Sequence, residues 1–96
     1  MNAETYEYLA NAFVEKDTSD ETLFAGLASE AGEVMSERVK ELRSGISCNE
    51  KVVDELGDVL WYVVMIANRM GSSLEEVMQH SIEKLEYRAL NGKKGK

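Results

Sequence analysis

Apolar residues recur at helical spacing along most of the chain, in four blocks separated by short polar breaks. The first block, about Ala3 to Lys16, places Tyr6, Leu9, Ala10, Phe13 and Val14 on one stripe and predicts a helix. Asp17-Thr18-Ser19-Asp20 interrupts it, and Thr18 with Glu21 makes a capping-box pattern for a second helix. That helix is expected from about Asp20 to Arg43, stopping at Ser44-Gly45, with Leu23, Leu27, Val34 and Leu42 facing inward. Ser47 and Glu50 repeat the capping pattern before a third helix, which extends to Met70 and ends at Gly71. Its apolar positions are dense: Val52, Val53, Leu56, Val59, Leu60, Val63, Val64, Ile66 and Ala67. A helix apolar on most of its circumference is buried by more than one neighbour, and a partner subunit is the simplest source of the second surface. Ser72 or Ser73 caps a fourth helix, Leu74 to about Leu90, packing through Leu74, Val77, Met78, Ile82 and Leu85.

The β-branched run Val63-Val64 with Ile66 is compatible with a strand, but the length of the segment and its caps favour helix. Long helices joined by short loops pack antiparallel. The expected fold is therefore all-α, an antiparallel bundle of about four helices completed by oligomerisation. Residues 1–92 read as a single domain and 93–96 as a basic flexible tail. A chain of 96 residues is near the lower end of what supports a single core, which adds weight to a second copy of the chain.

Composition excludes several classes. The hydrophobic fraction of 44% is ordinary for a globular protein and argues against disorder. Proline is absent, and glycine falls mostly where helices stop. A net charge of −7 argues against a nucleic-acid polymer as partner, which needs a basic surface. Lys93, Lys94 and Lys96 form the one basic cluster, read as a solvated terminus rather than a phosphate-binding arm. Cys48 stands alone in a polar stretch, so no intrachain disulfide forms and the thiol is incidental. The N-terminus lacks the blocks of a signal peptide, and the apolar run Val59 to Ala67 is too short to span a bilayer. The expected setting is cytoplasmic, with no membrane partner.

Two acidic pairs change the picture: Glu30-Ala31-Gly32-Glu33 and Glu55-Leu56-Gly57-Asp58. Side chains three apart on a helix are neighbours on one face, so each pair converges, and two facing helices bring all four carboxylates together. Such a gathering is unfavourable unless cations neutralise it, and oxygen-only ligands suit Mg²⁺ or Mn²⁺. The alternative is that both pairs lie on solvated faces. Small residues beside both pairs (Ala31, Gly32, Gly57) count against that, because helical glycine costs about 1 kcal/mol relative to alanine; they imply close helix approach or room for a ligand.

The runs Gly26-Leu27-Ala28-Ser29-Glu30-Ala31-Gly32-Glu33-Val34 and Asp54-Glu55-Leu56-Gly57-Asp58-Val59-Leu60-Trp61-Tyr62 resemble the MazG-like nucleotide pyrophosphohydrolases. These belong to the all-α nucleoside triphosphate pyrophosphatases, whose signature is an E-x-x-E helix followed by an E-x-x-D helix. Twenty-one residues separate Glu33 from Glu55, a spacing that fits. The stretch Ile82-Glu83-Lys84-Leu85-Glu86-Tyr87-Arg88 resembles the final helix of the family, with lysine and arginine at i and i+4. The resemblance covers about Leu23 to Arg88. E-x-x-E alone is common; both motifs in order, with D-x-L-x-Y after the second and K-x-x-x-R at the end, are specific. The chain departs from the pattern at Ser29, where members often carry another glutamate, and at Ser81, where they often carry asparagine.

The resemblance implies Mg²⁺-dependent hydrolysis of a nucleoside triphosphate, deoxynucleotides included, between the α- and β-phosphates, giving monophosphate and pyrophosphate. Glu30, Glu33, Glu55 and Asp58 are then the metal ligands, with Glu33 and Glu55 central to catalysis, and Tyr62, Ser81, Lys84 and Arg88 contact substrate. Four carboxylates with one divalent cation still carry a formal −2, so more than one ion is expected once a polyanionic substrate binds. Tyr62, one turn after Asp58, shares the metal face and is placed to stack on sugar or base. Trp61 points elsewhere, to core or subunit interface. Glu37 continues the Glu30–Glu33 face, either behind the ligands or exposed, and His80 reads as surface or interface. A di-iron carboxylate bundle would need Glu-x-x-His, and Val77 stands three residues before His80. The non-enzymatic alternative is a helical interaction module with an acidic face. The oligomer is a dimer or a tetramer.

Overall fold

A computed structural model describes residues 1–92. Among them are four α-helices and no strand: α1 (Ala3–Ala10), α2 (Asp20–Ser44), α3 (Asn49–Arg69) and α4 (Leu74–Leu90). The all-α expectation holds. The lysines of the expected tail lie outside the described residues.

Local chemistry sets the boundaries. Asn2 caps α1, accepting from the Thr5 amide at 2.9 Å. The first helix is shorter than its apolar stripe predicts, because it tightens into a 3-10 turn at Asn11–Phe13 and turns extended at Val14. Asn11 drives this: its amide donates to the Glu7 carbonyl at 2.8 Å and to Asn68 Oδ1 at 3.0 Å, anchoring the end of α1 to α3. Ser19, rather than Thr18, caps α2 by accepting from the Thr22 amide at 3.1 Å. Gly45 ends α2 at φ 74°, a left-handed turn that a side chain would strain. Ser47 does not cap α3; Cys48 precedes it without a side-chain bond. Ser73 caps α4 through the Glu76 amide at 3.1 Å.

Helices α2 and α3 form an antiparallel hairpin. Asp20 at the start of α2 pairs with Arg69 at the end of α3, 2.7 Å apart. Farther along, Tyr62 lies against Gly26. The core gathers at this end, where Ala10, Leu23, Val64, Met65 and Leu74 are buried and Tyr6, Trp61 and Tyr62 pack around them. Asn68 and Glu7 tie three elements there: the Asn68 amide donates to Glu7 Oε2 and to the Ser72 carbonyl, and Glu7 Oε1 accepts from the Leu74 amide.

The far end of the hairpin and the second half of α4 are bare. Leu42, Val53 and Leu56, expected inside, are half or more exposed, as are Phe13, Met78, Ile82 and Leu85. The periodicity identifies their apolar faces, but among the described residues nothing covers them. The radius of gyration is 15.8 Å, against about 12–13 Å for a compact domain of this length. No helix among the described residues is long and apolar enough to cross a membrane.

Candidate metal centre

The antiparallel hairpin brings the two acidic pairs face to face. Glu30 from α2 and Glu55 and Asp58 from α3 each offer a carboxylate oxygen, all within 4.8 Å of one another. Ligand oxygens around Mg²⁺ lie at about 2.1 Å from the ion, hence about 3–4 Å from each other. Small side-chain rotations close the difference. Glu33 lies outside this tight set and is exposed, yet its charge is felt by both Glu30 and Glu55.

The electrostatics are those of crowded anions. The Glu30 carboxyl is raised above its ordinary value by partial burial, then by a hydrogen bond to Asp58 and the charges of Asp58, Glu55 and Glu33. Glu55 is raised by partial burial and by Asp58, Glu33, Glu37 and Asp54. Each therefore holds its proton more tightly than a free glutamate, as carboxylates sharing one site do. A hard divalent cation removes the conflict, and the all-oxygen donor set fits one.

Aromatic residues wall the site toward the core. Glu30, Asp58, Trp61 and Tyr62 line a hollow of about 320 Å³. Trp61 packs on the core as expected, but it does not point away from the acids. Its indole NH donates to the Ala10 carbonyl at 3.0 Å, and its ring meets Tyr62 edge-on, centroids 5.0 Å apart. Tyr6 of α1 also belongs here: burial, then the Asp58 charge, raises its phenol. Its position in the first apolar stripe marks it as packing, and only the docking of α1 against α3 brings it under the charge of Asp58. Glycines 32 and 57 are not close-approach positions, since a β-carbon on either would meet nothing within 4 Å. The close approach is at Gly26, against the Tyr62 ring.

The other residues expected at substrate do not reach this hollow within one chain. Lys84 and Arg88 line a separate hollow of about 390 Å³ on α4 with His80, Glu83 and Tyr87. Ser81 is exposed on the same helix. His80 is exposed, its Nδ1 3.9 Å from Glu83 Oε1. Glu37 is buried rather than exposed.

Residues 18–92 match the MazG nucleotide pyrophosphohydrolase domain. The chain belongs to the MazG family. Within the matched span lie both acidic pairs, Tyr62 and the basic pair of α4, whereas α1, which carries Tyr6, precedes it. The chain is also similar to the Gene 37 protein of Mycobacterium phage L5, at 40% identity over 72 residues. That alignment covers 70% of this chain and 63% of the phage protein, so the chain spans less than two thirds of that relative's length. No solved structure matches the chain significantly.

Proposed function

We propose that this MazG-family chain is a Mg²⁺-dependent nucleoside triphosphate pyrophosphohydrolase that serves nucleotide-pool housekeeping, with deoxynucleotides among its substrates. The observation that carries the reading is the convergence of Glu30, Glu55 and Asp58 between α2 and α3. One water is consumed, one bridging P–O bond between the α- and β-phosphates breaks, and the products are a monophosphate and pyrophosphate.

Glu30, Glu33, Glu55 and Asp58 would hold more than one Mg²⁺ or Mn²⁺ ion with substrate bound, the ions neutralising phosphate charge and acidifying a water. Glu33 is exposed beside the tight set, which leaves a carboxylate free to orient the attacking water or to complete the ligands. Glu55 lies among the acids, under the charges of Asp58, Glu33, Glu37 and Asp54, and would be the ligand shared by the two pairs. Tyr62, with Trp61 beside it, would pack on the nucleoside within the hollow next to Glu30 and Asp58.

Lys84 and Arg88 are suited to phosphate oxygens through charge-assisted hydrogen bonds, and Ser81 to a polar contact on the nucleoside. Because α4 presents them away from the acid hollow of its own chain, the reading includes a homo-oligomer, dimer or tetramer. Its support is the exposed apolar face of Met78, Ile82 and Leu85 on the same helix and of Val53 and Leu56 on α3.

The deciding experiment is product analysis with a panel of ribo- and deoxynucleoside triphosphates and Mg²⁺. Monophosphate with equimolar pyrophosphate is expected. Release of orthophosphate with a diphosphate left behind overturns the assignment.

A further inference from the structure

The acidic face of α2 does not end at Glu33. Glu37 lies one turn farther on, in line with Glu30 and Glu33. It differs from every other acid described here in being enclosed, with only 6% of the residue exposed. Lys40 approaches from outside and donates to Glu37 Oε2 at 3.3 Å. The second oxygen, Oε1, is fully enclosed and meets no hydrogen-bond donor. A buried carboxylate oxygen is normally satisfied, and one left bare is strongly unfavourable unless something else occupies the position. The charge of Glu37 reaches Glu55, the same carboxylate that is grouped with Glu30 and Asp58.

We propose that Glu37 is a further divalent-cation ligand, offering Oε1 to a second ion held beside Glu33 and Glu55. The assignment rests on reading Glu30, Glu55 and Asp58 as a first cation position. Glu37 is thereby a residue that sets ion stoichiometry, and Lys40 tunes its field from the solvent side.

The test is Mn²⁺ binding to the full chain without nucleotide, followed by the electron paramagnetic resonance of the free ion. Wild type is expected to take two ions per chain, and Glu37→Gln one, at wild-type affinity. Glu37→Gln keeps the shape and removes a buried charge, so its metal-free melting temperature should not fall. Lys40→Gln, at an exposed position, provides the second arm: it should tighten the weaker ion about two- to fivefold, the scale of removing one surface charge pair. A Glu37→Gln protein that still binds two ions, a wild type that binds one, or a Lys40→Gln protein with unchanged affinities overturns the proposal. A wild type that binds none overturns the first cation position as well, which separates failure of that reading from failure of this one.

Discussion

The ring of Tyr62 occupies the space that a side chain at Gly26 would need: a β-carbon there would lie 2.8 Å from Tyr62 Oη and closer still to the ring carbons. A glycine in α2 therefore fixes where an aromatic on α3 stands, one turn from Asp58. Gly26→Ala is expected to destabilise the chain by about 1–3 kcal/mol, the range for overpacking a filled site. Gly32→Ala, where open space surrounds the position, should be neutral or stabilise by up to about 1 kcal/mol. Chemical denaturation of the two variants checks the contrast.

Removing one acid separates binding from folding. Glu55→Gln and Glu33→Gln should each abolish most pyrophosphate release, while the metal-free proteins melt no lower than wild type, because like-charge crowding is relieved. Near-normal turnover with unchanged Mg²⁺ dependence in both variants would refute the carboxylate assignment.

The raised carboxyls of Glu30 and Glu55 set a pH dependence with a definite sign. A folded-state pKa above the unfolded value means that the folded chain binds the proton more tightly. Their contribution to stability is then fully present below the ordinary value of 4.5 and is lost as pH rises through the raised values. Relative to a Glu30→Gln, Glu55→Gln double variant, metal-free wild type should lose stability on raising the pH from 4.5, and Mg²⁺ should restore it. Melting curves of both proteins across that window, with and without Mg²⁺, measure the difference.

The helix order, the glycine stops at Gly45 and Gly71, the Ser73 cap and both acidic pairs were legible in the sequence because they depend on neighbours within one turn, whereas Thr18 and Ser47 are not the caps of α2 and α3. What was not legible depends on contacts across the chain. Asn11 ends α1 early by reaching Asn68, a partner that no local pattern contains. Tyr6 feels the charge of Asp58 only because α1 docks on α3. Trp61 packs on the core as its place in the pattern implies, yet with its indole NH bonded to Ala10 it also lines the hollow of the acids. Glu37 carried the one available signal, its place a turn after Glu33, but an acid on a helix reads as solvated until packing encloses it. Leu42 and Leu85 show the opposite limit: the pattern marks them as apolar-face residues without saying whether the covering surface comes from the same chain.

Lys84→Ala is expected to weaken productive substrate use by about 1.5–3 kcal/mol, the scale of a charge-assisted hydrogen bond. Tyr62→Leu should instead blur discrimination among bases while cleavage stays at the α–β linkage. Comparing kcat/KM across nucleotides, with product identification, distinguishes the two effects.

Sedimentation at micromolar concentration should show no substantial monomer in wild type. Ile82→Glu with Leu85→Glu should dissociate the assembly and lower pyrophosphate release with it. A monodisperse wild-type monomer would remove the basis for placing Lys84 and Arg88 at another chain's acids.

Trp61 is the single tryptophan of the chain, and it sits at the wall of the acid hollow with its NH held by Ala10 and its ring against Tyr62. The protein therefore carries a built-in optical probe with no background from a second indole. On the proposed reading, a cation or nucleotide entering beside Glu30 and Asp58 would alter the surroundings of this ring directly, so its emission should follow ligand arrival in real time, in unlabelled protein, including with variants too slow for product assays.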